Sequence, residues 1–463
     1  MLQQAPPLFY VASGVTGAMM SENGNQASAS TTAKGSGYRY VVLAMLILAY
    51  TFNFLDRQIL GILAKPIKDE FGLTDAQFGL MGGLAFALLY TTLAIPIAWL
   101  ADRFSRVWIM TAALTLWSGF TALCGVVGSF SHLFLARMGV GIGEAGGVAP
   151  AYSLISDYFP KHQRARALAA YAFGIPLGTA AGTLVGGLLA VHYGWRTAFI
   201  AVGLLGVLLA PVFRLVVRDP PRGGADRAPG EPAPAPAPAA PLGQVFRLLA
   251  AKPSFWLLSL GAASSSVCGY GVAAWLPSFF MRSLGLTLAQ TAWYYSGIAF
   301  LGGVIGIWLG GAMADRLGAK SKAGYPLTPA VAFLISVPCF LLAMNSGSLV
   351  GGLGGEAALT VAFLIFLIPT GLNLTWLGPI TAAVQHLAPA PMRTTASALF
   401  LLINNLLGIA VGIYYFGKVS DLLKPVFGAE SLRWAIYTGM GFYLLAALLF
   451  FLASRRLDRD WVD

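Results

Sequence analysis

Charge is what this sequence has least of. Of its 463 residues only 10% are Asp, Glu, Lys or Arg, against 57% hydrophobic, where a soluble domain carries about a quarter charged. So few polar groups cannot cover a globular surface in water. Cysteine is also scarce: Cys124, Cys268 and Cys339 each fall inside an apolar run with no paired spacing, which argues against a disulfide framework and a thiolate metal site. The four histidines are scattered among loops, so neither a metal cluster nor the nucleophile-base pair of an intramembrane enzyme is expected. No GxxxxGK[ST] sequence occurs, which excludes a P-loop ATP motor. No cofactor is expected, and any energy the protein uses would have to come from a gradient.

What is present is apolar sequence in blocks. About 20 apolar residues at 1.5 Å per residue cross a hydrocarbon core of roughly 30 Å, and twelve such runs occur, near 40–61, 77–101, 107–128, 132–155, 166–190, 196–217, 254–281, 289–313, 326–345, 356–378, 394–416 and 433–454. The 55 glycines suit close helix packing in lipid. The expectation is an all-α membrane protein of twelve transmembrane helices in two six-helix bundles, 40–217 and 254–454. They are joined by a linker, 218–253, whose Pro-Ala run from Glu231 to Pro241 favours extended polyproline. Residues 1–39, rich in Ser, Gly, Ala and Gln, read as a disordered tail, and 455–463 as a short second tail.

The net charge of +11 does not indicate nucleic acid, because the charges lie between the apolar blocks. With the first helix entering from the cytoplasm, 20 of the 29 Lys and Arg fall on the inner side, seven on the outer and two inside helices. That bias places both termini and the linker in the cytoplasm, and the economy of the loops suits a bacterial inner membrane. A monomer surrounded by membrane lipids is expected.

The halves repeat. Ala98–Val107 (AWLADRFSRV) after helix 2 and Gly311–Lys320 (GAMADRLGAK) after helix 8 carry the same Asp-Arg pair, and Phe159–Ala167 before helix 5 has its counterpart in Ala388–Ala396 before helix 11. Parallel six-helix repeats can rock against each other to give alternating access. Asp102, Arg103 and Arg106, with Asp315 and Arg316, are therefore expected to clamp helix ends on the cytoplasmic side, completed by Asp157, Arg164, Arg166 and Arg393. Gly174–Gly182 (GIPLGTAAG) is expected to give helix 5 a flat face that slides on the other half, with Pro176 bending it.

Four charged residues are left well inside the membrane: Asp56 and Arg57 in helix 1, Arg137 and Glu144 in helix 4. An ionisable group in lipid is costly enough to mark function. Asp56 lies about 24 Å up helix 1 and Arg137 about 8 Å below the outer boundary, nearly level, which predicts an electrostatic cluster of Asp56 or Arg57 with Arg137. Glu144, seven residues on, returns to the same face some 10 Å deeper. Carboxyls beside a movable arginine can load and expel a proton, so Asp56 and Glu144 are expected as carriers, Arg137 as the switch, and the cluster as a place for substrate binding; the structural alternative is a static buried ion pair that fixes helix register. In the second half Tyr270, Trp275, Asn373, Trp376, Asn404 and Asn405 are candidates to line the cavity.

The GxxxDRxG-type loops, twelve helices and central linker resemble the major facilitator superfamily over residues 40–454, with Ala98, Ser105 and Val107 departing from the usual first loop and Gly311 and Gly318 closer to it in the second. Within it, Asn53–Leu63 (NFLDRQILGIL), Leu135–Pro160 (LARMGVGIGEAGGVAPAYSLISDYFP), Gly194–Phe199 (GWRTAF) and GIPLG resemble the Spinster family. That resemblance implies lysophospholipids or sphingosine phosphates as cargo, proton coupling in some members, and functional roles for Asp56, Arg57, Arg137 and Glu144. The expected function is proton-coupled transport of an amphipathic lipid; small organic anions or drugs are the alternative cargo, and a non-transporting ligand sensor a more distant one.

Overall fold

The structure, a computed structural model, describes residues 18–222, 242–346, 355–389 and 392–462. Every regular element among them is a helix. Nine helical stretches are long and apolar enough to cross a membrane, and two of these hold two passes each. His162–Val216 reverses at Gly194, whose φ of 85° is left-handed and favours glycine. The reversal shows in the packing: Gly178, Gly182 and Gly186 meet Thr51, Leu55 and Ile59 in ascending order, whereas Gly203 and Gly206 meet Ala122 and Ser118 in descending order. Arg393–Phe427 and Ser431–Ser454 likewise turn back at Gly428. The remaining pass is Phe130–Glu144 continued by Val148–Tyr158.

The passes are numbered here as spans 1 to 12. Span 1 is Gly37–Ile62, span 2 Asp75–Ala101, span 3 Arg106–Cys124 and span 4 the interrupted pass just described. Spans 5 and 6 flank Gly194; span 7 is Pro253–Ser283, span 8 Leu288–Gly318 and span 9 Gly324–Met344. Span 10 combines Gly355–Leu372 and Leu377–Gln385, and spans 11 and 12 flank Gly428. The ends bearing residues 217–222 and 455–462 form the linker side, and the opposite ends the far side.

The halves repeat in structure as well. Spans 2 and 8 open with the same device: Gly72 and Gly285 at positive φ, then Thr74 and Thr287 as N-caps, each in a capping box with Gln77 or Gln290. Asp75 is the exception, because the second copy has Leu288 at that place.

Four features depart from expectation. The helix of span 1 begins at Ala18, inside the segment read as a disordered tail; once a span is helical, adding a residue costs far less than nucleating a new turn. Residues 1–17 and the Pro-Ala run, within 223–241, lie outside the described residues. The end of the linker is instead a short helix, Leu242–Ala250, that buries Val245 and Leu249. A second short helix, Ala64–Phe71, lies on the far side between spans 1 and 2.

The glycine face of span 5 packs on span 1 of its own half. Gly174 lies against Tyr50, Gly178 against Thr51 and Gly182 against Leu55, while Pro176 and Gly187 face Gly303 and Ala292 of span 8. The helix breaks at Phe173, three residues before Pro176, as a ring without an N–H requires. A Cβ on Gly182 would lie 2.5 Å from the Leu55 carbonyl oxygen. Gly182→Leu is therefore expected to lower stability by about 2 kcal/mol or more, whereas Gly119→Ala, with open space around its Cα, leaves the melting temperature in detergent close to wild type. Equal melting of the two variants would contradict the packing.

Candidate functional site

Asp56 and Arg57 on span 1 and Arg137 and Glu144 on span 4 do converge. The ion pair, however, is Arg57 with Glu144: Nε donates to Oε2 at 2.7 Å, with Glu144 fully buried and the arginine side chain 13% exposed. Span 4 explains why a cation is needed there. Its first helix ends at Glu144, and Gly146 and Gly147 follow in the turn, so the carboxylate sits at a helix C-terminus, where the helix dipole is unfavourable to negative charge. Arg137, expected to be the switch beside Asp56, reaches only the backbone carbonyl of Asp56, with Nη1 donating at 3.3 Å. Its long side chain lets Arg57 cover the depth that separates it from Glu144, a reach that counting helical rise from Cα positions omits.

Several atoms of this cluster are buried without a hydrogen-bond partner among the described residues: both Asp56 carboxyl oxygens, Oε1 of Glu144, Nε of Arg137, both side-chain polar atoms of Asn53 and the Thr121 hydroxyl. Asp56 and Glu144 share one electrostatic field with both arginines. Three aromatic faces enclose the Arg57 guanidinium, with ring centroids of Phe54, Phe86 and Tyr90 at 5.0, 4.8 and 4.7 Å. Phe86 follows directly on a π-helical segment, Met81–Ala85, and Tyr90 lies one turn further; the π segment is a local underwinding that resets which side chains face the site.

A cavity opens from this cluster between the halves. Arg57, Gln58 and Arg137 supply its polar wall; Phe54, Phe78, Phe86, Ile409 and Ile413 make it apolar, and Tyr270 faces it from span 7. Of the six second-half candidates only Tyr270 lines it. Trp275 is buried and donates to the Ile413 carbonyl at 2.9 Å. Asn373 accepts from Tyr443 at 2.8 Å, Asn404 accepts from Ser266 at 2.8 Å and donates to Asn405, and Trp376 packs on Phe400. These polar groups join helices within the second half, as amides in lipid commonly do.

Sequence reading missed the contact that closes the far side. Asp75, at the start of span 2, accepts from Arg282 Nη1 and Nη2 of span 7 at 2.7 and 2.6 Å, from Ser420 of span 11 at 2.8 Å, and from Lys68. In return Asp421 of span 11 accepts from the backbone N–H groups of Asp75 and Ala76, capping the other half's helix. The signal was available: Asp75 breaks the LTxAQ repeat, but its place at a span boundary made it look like a loop charge.

On the linker side only part of the expected clamp forms. Arg106 is buried and binds Asp157 of span 4, Asp219 beyond span 6 at 2.8 Å, the Ser153 hydroxyl and the Pro220 carbonyl. Although burial opposes it, the Ser105 hydroxyl and Arg106 hold the Asp219 carboxyl below its ordinary range. This knot lies wholly within the first half. Arg164 donates to the Ser156 and Phe159 carbonyls, and Arg393 to that of Ala388. Arg103 lies over its neighbour Trp99, Asp102 is 3.9 Å from Arg222, and Arg166, Asp315 and Arg316 are exposed. Among the described residues the Asp-Arg repeats thus do not bridge the halves in this conformation, which is closed at the far side.

A model of the Major Facilitator Superfamily matches residues 46–413. The chain belongs to this superfamily. It is 33% identical over 425 residues to an MFS-type efflux pump of Mycolicibacterium smegmatis, covering 92% of this chain and 94% of that one. It is 30% identical over 413 residues to protein spinster homolog 1 of Bos taurus, covering 85% and 75%. A solved bacterial homolog to the human lysosomal transporter Spinster, inward-facing and unoccupied, aligns with a TM-score of 0.78 at 31% identity over 92% of this chain and 99% of that one. An inward-facing, occupied structure of a bacterial Spinster homolog aligns at 0.74 with the same identity. The chain is therefore a Spinster-like, multi-pass membrane transporter.

Two variants and a control test the two ends of the molecule. Asp75→Asn leaves Arg282 and Lys68 without their buried counter-ion, a loss of about 3–5 kcal/mol from the closed far side. Electron–electron distances between nitroxides at Tyr193 and Val426, exposed near the far-side turns of the two halves, should lengthen and broaden; an unchanged distribution would dismiss the lock. Arg106→Ala should destabilise the first half by about 2 kcal/mol or more, since it removes a buried cation that binds both Asp157 and Asp219. The exposed Arg316→Ala should stay within about 0.5 kcal/mol of wild type, as read by thermal melting.

Proposed function

We propose that the chain is a proton-coupled secondary transporter of an amphipathic lipid of the lysophospholipid or sphingoid-phosphate class, working by alternating access in a bacterial inner membrane with both termini and the linker cytoplasmic. The observation that carries this reading is the cavity: two arginines at one wall, aromatic rings and isoleucines on the others, placed between the halves beside a buried Arg57–Glu144 pair. An anionic headgroup meets the arginines and an acyl chain meets the apolar wall. The Spinster names among the relatives support membrane transport.

A proton arriving at Glu144 neutralises the carboxylate and frees the Arg57 guanidinium for the headgroup; the return of Arg57 expels the proton. Asp56, a buried carboxyl with no ion-pair partner among the described residues, is the second carrier, since a neutral carboxyl costs less to bury than a charged one. Arg137 completes the headgroup contact. With the linker cytoplasmic, the conformation described is closed outward, and the Asp-Arg loops around Asp102 and Asp315 engage when the inward side closes. The second reading keeps this mechanism and exports a drug or small organic anion; the efflux pump of M. smegmatis favours it.

Proteoliposomes with a panel of lysolipids and hydrophilic anions, with and without a pH gradient, separate the two. Lysolipid flux that follows the gradient supports the first reading, and anion flux without lysolipid movement supports the second. Glu144→Gln should reduce gradient-driven flux by more than tenfold while retaining exchange. Undiminished driven flux in that variant would make Glu144 structural.

A further inference from the structure

The Arg57–Glu144 pair does not stand alone. Phe54 on span 1 and Phe86 and Tyr90 on span 2 present their faces to the Arg57 guanidinium within 4.7–5.0 Å, and Phe86 stacks on Tyr90 at 5.2 Å with planes 19° apart. Phe86 also has Arg137 over it at 5.7 Å, so one ring serves two cations. We propose that this aromatic cage is a positioning device that keeps Arg57 in the membrane after Glu144 has taken its proton, and so sets the pH at which the transporter changes state. The proposal rests on the proton-coupled reading above.

The physics is a difference between two states. Rings attract a cation through their quadrupole, most strongly where water is excluded. Paired with Glu144, Arg57 presents them with little more than a dipole; once Glu144 is neutral, it presents a full charge. The cage therefore stabilises the protonated state more than the paired one, and makes proton uptake possible at a higher pH than a bare pair in lipid would allow. Without it, an unpaired guanidinium would have to stay bound to the carboxylate or leave for water.

The other titratable and charged groups around the pair are Asp56 and Tyr50 on span 1, Arg137 and Tyr152 on span 4, Tyr171 on span 5 and Tyr270 on span 7. Tyr90 acts electrostatically on the four tyrosines, an effect that Tyr90→Phe removes together with the hydroxyl and that Phe54→Leu leaves in place.

The test uses the full chain in lipid nanodiscs, with nitroxides at Tyr193 and Val426 and the distance distribution followed from pH 4 to 9, so no cargo need be known. Tyr90→Leu and, independently, Phe54→Leu should each move the midpoint of the transition down by about one pH unit. Tyr90→Phe, which keeps the ring and loses the hydroxyl, should restore the wild-type midpoint. The cage is overturned if the folded Leu variants keep the wild-type midpoint, or if Tyr90→Phe shifts as far as Tyr90→Leu, which would assign the effect to the hydroxyl. A wild-type protein with no pH-dependent transition would overturn the coupling reading, and the cage with it.

Discussion

A charge in hydrocarbon must bring its own counter-charge. The Arg57–Glu144 pair is where this molecule meets that requirement, and much of the first half is arranged around it. Span 4 breaks directly after Glu144, which places the carboxylate at a helix end that would repel it without Arg57. Span 2 carries a π-helical segment that delivers Phe86 and Tyr90 to the guanidinium. Span 5 lies against span 1 through a row of glycines, so that the helix bearing Asp56 and Arg57 is held backbone to backbone. A buried pair this costly needs rigid supports, because helices free to shift would leave its two charges unmatched.

The two ends of the molecule use charge differently. At the far side Asp75 joins one half to the other, taking donors from Arg282 and Ser420 while Asp421 caps its helix. On the linker side Arg106 joins spans 3 and 4 and the chain beyond span 6, all in one half. One network has to open for the halves to rock; the other keeps the first half a rigid body while they do. Two clusters of similar chemistry thus have opposite mechanical consequences, decided by which helices they tie together.

Much of this was legible in the sequence. Apolar run lengths reveal the passes, because the thickness of a bilayer is a fixed ruler, and low overall charge isolates Asp56, Arg57, Arg137 and Glu144, because ionisable groups are rarely tolerated there. The Asp-Arg repeats disclose two related halves. Less legible were contacts that depend on reach and direction. Counting helical rise placed Asp56 or Arg57 level with Arg137, and Arg137 does reach the Asp56 carbonyl, but it did not pair Arg57 with Glu144, which a guanidinium on a long flexible stem reaches. Asn373, Asn404 and Trp275 looked like cavity residues, yet each found a partner inside its own half. Asp75 sat at a boundary and passed for a loop charge.

The sequence by itself determined that this chain crosses a membrane many times in two related halves, and that a few charged residues of spans 1 and 4 lie within the membrane; periodicity, length and the cost of charge in lipid are properties of the chain alone. Only the tertiary structure decided which arginine meets which carboxylate, that aromatic rings enclose Arg57, and that Asp75 locks one half to the other. Those are choices among residues distant in sequence, made by helix rotation, side-chain length and the packing of one helix on the next.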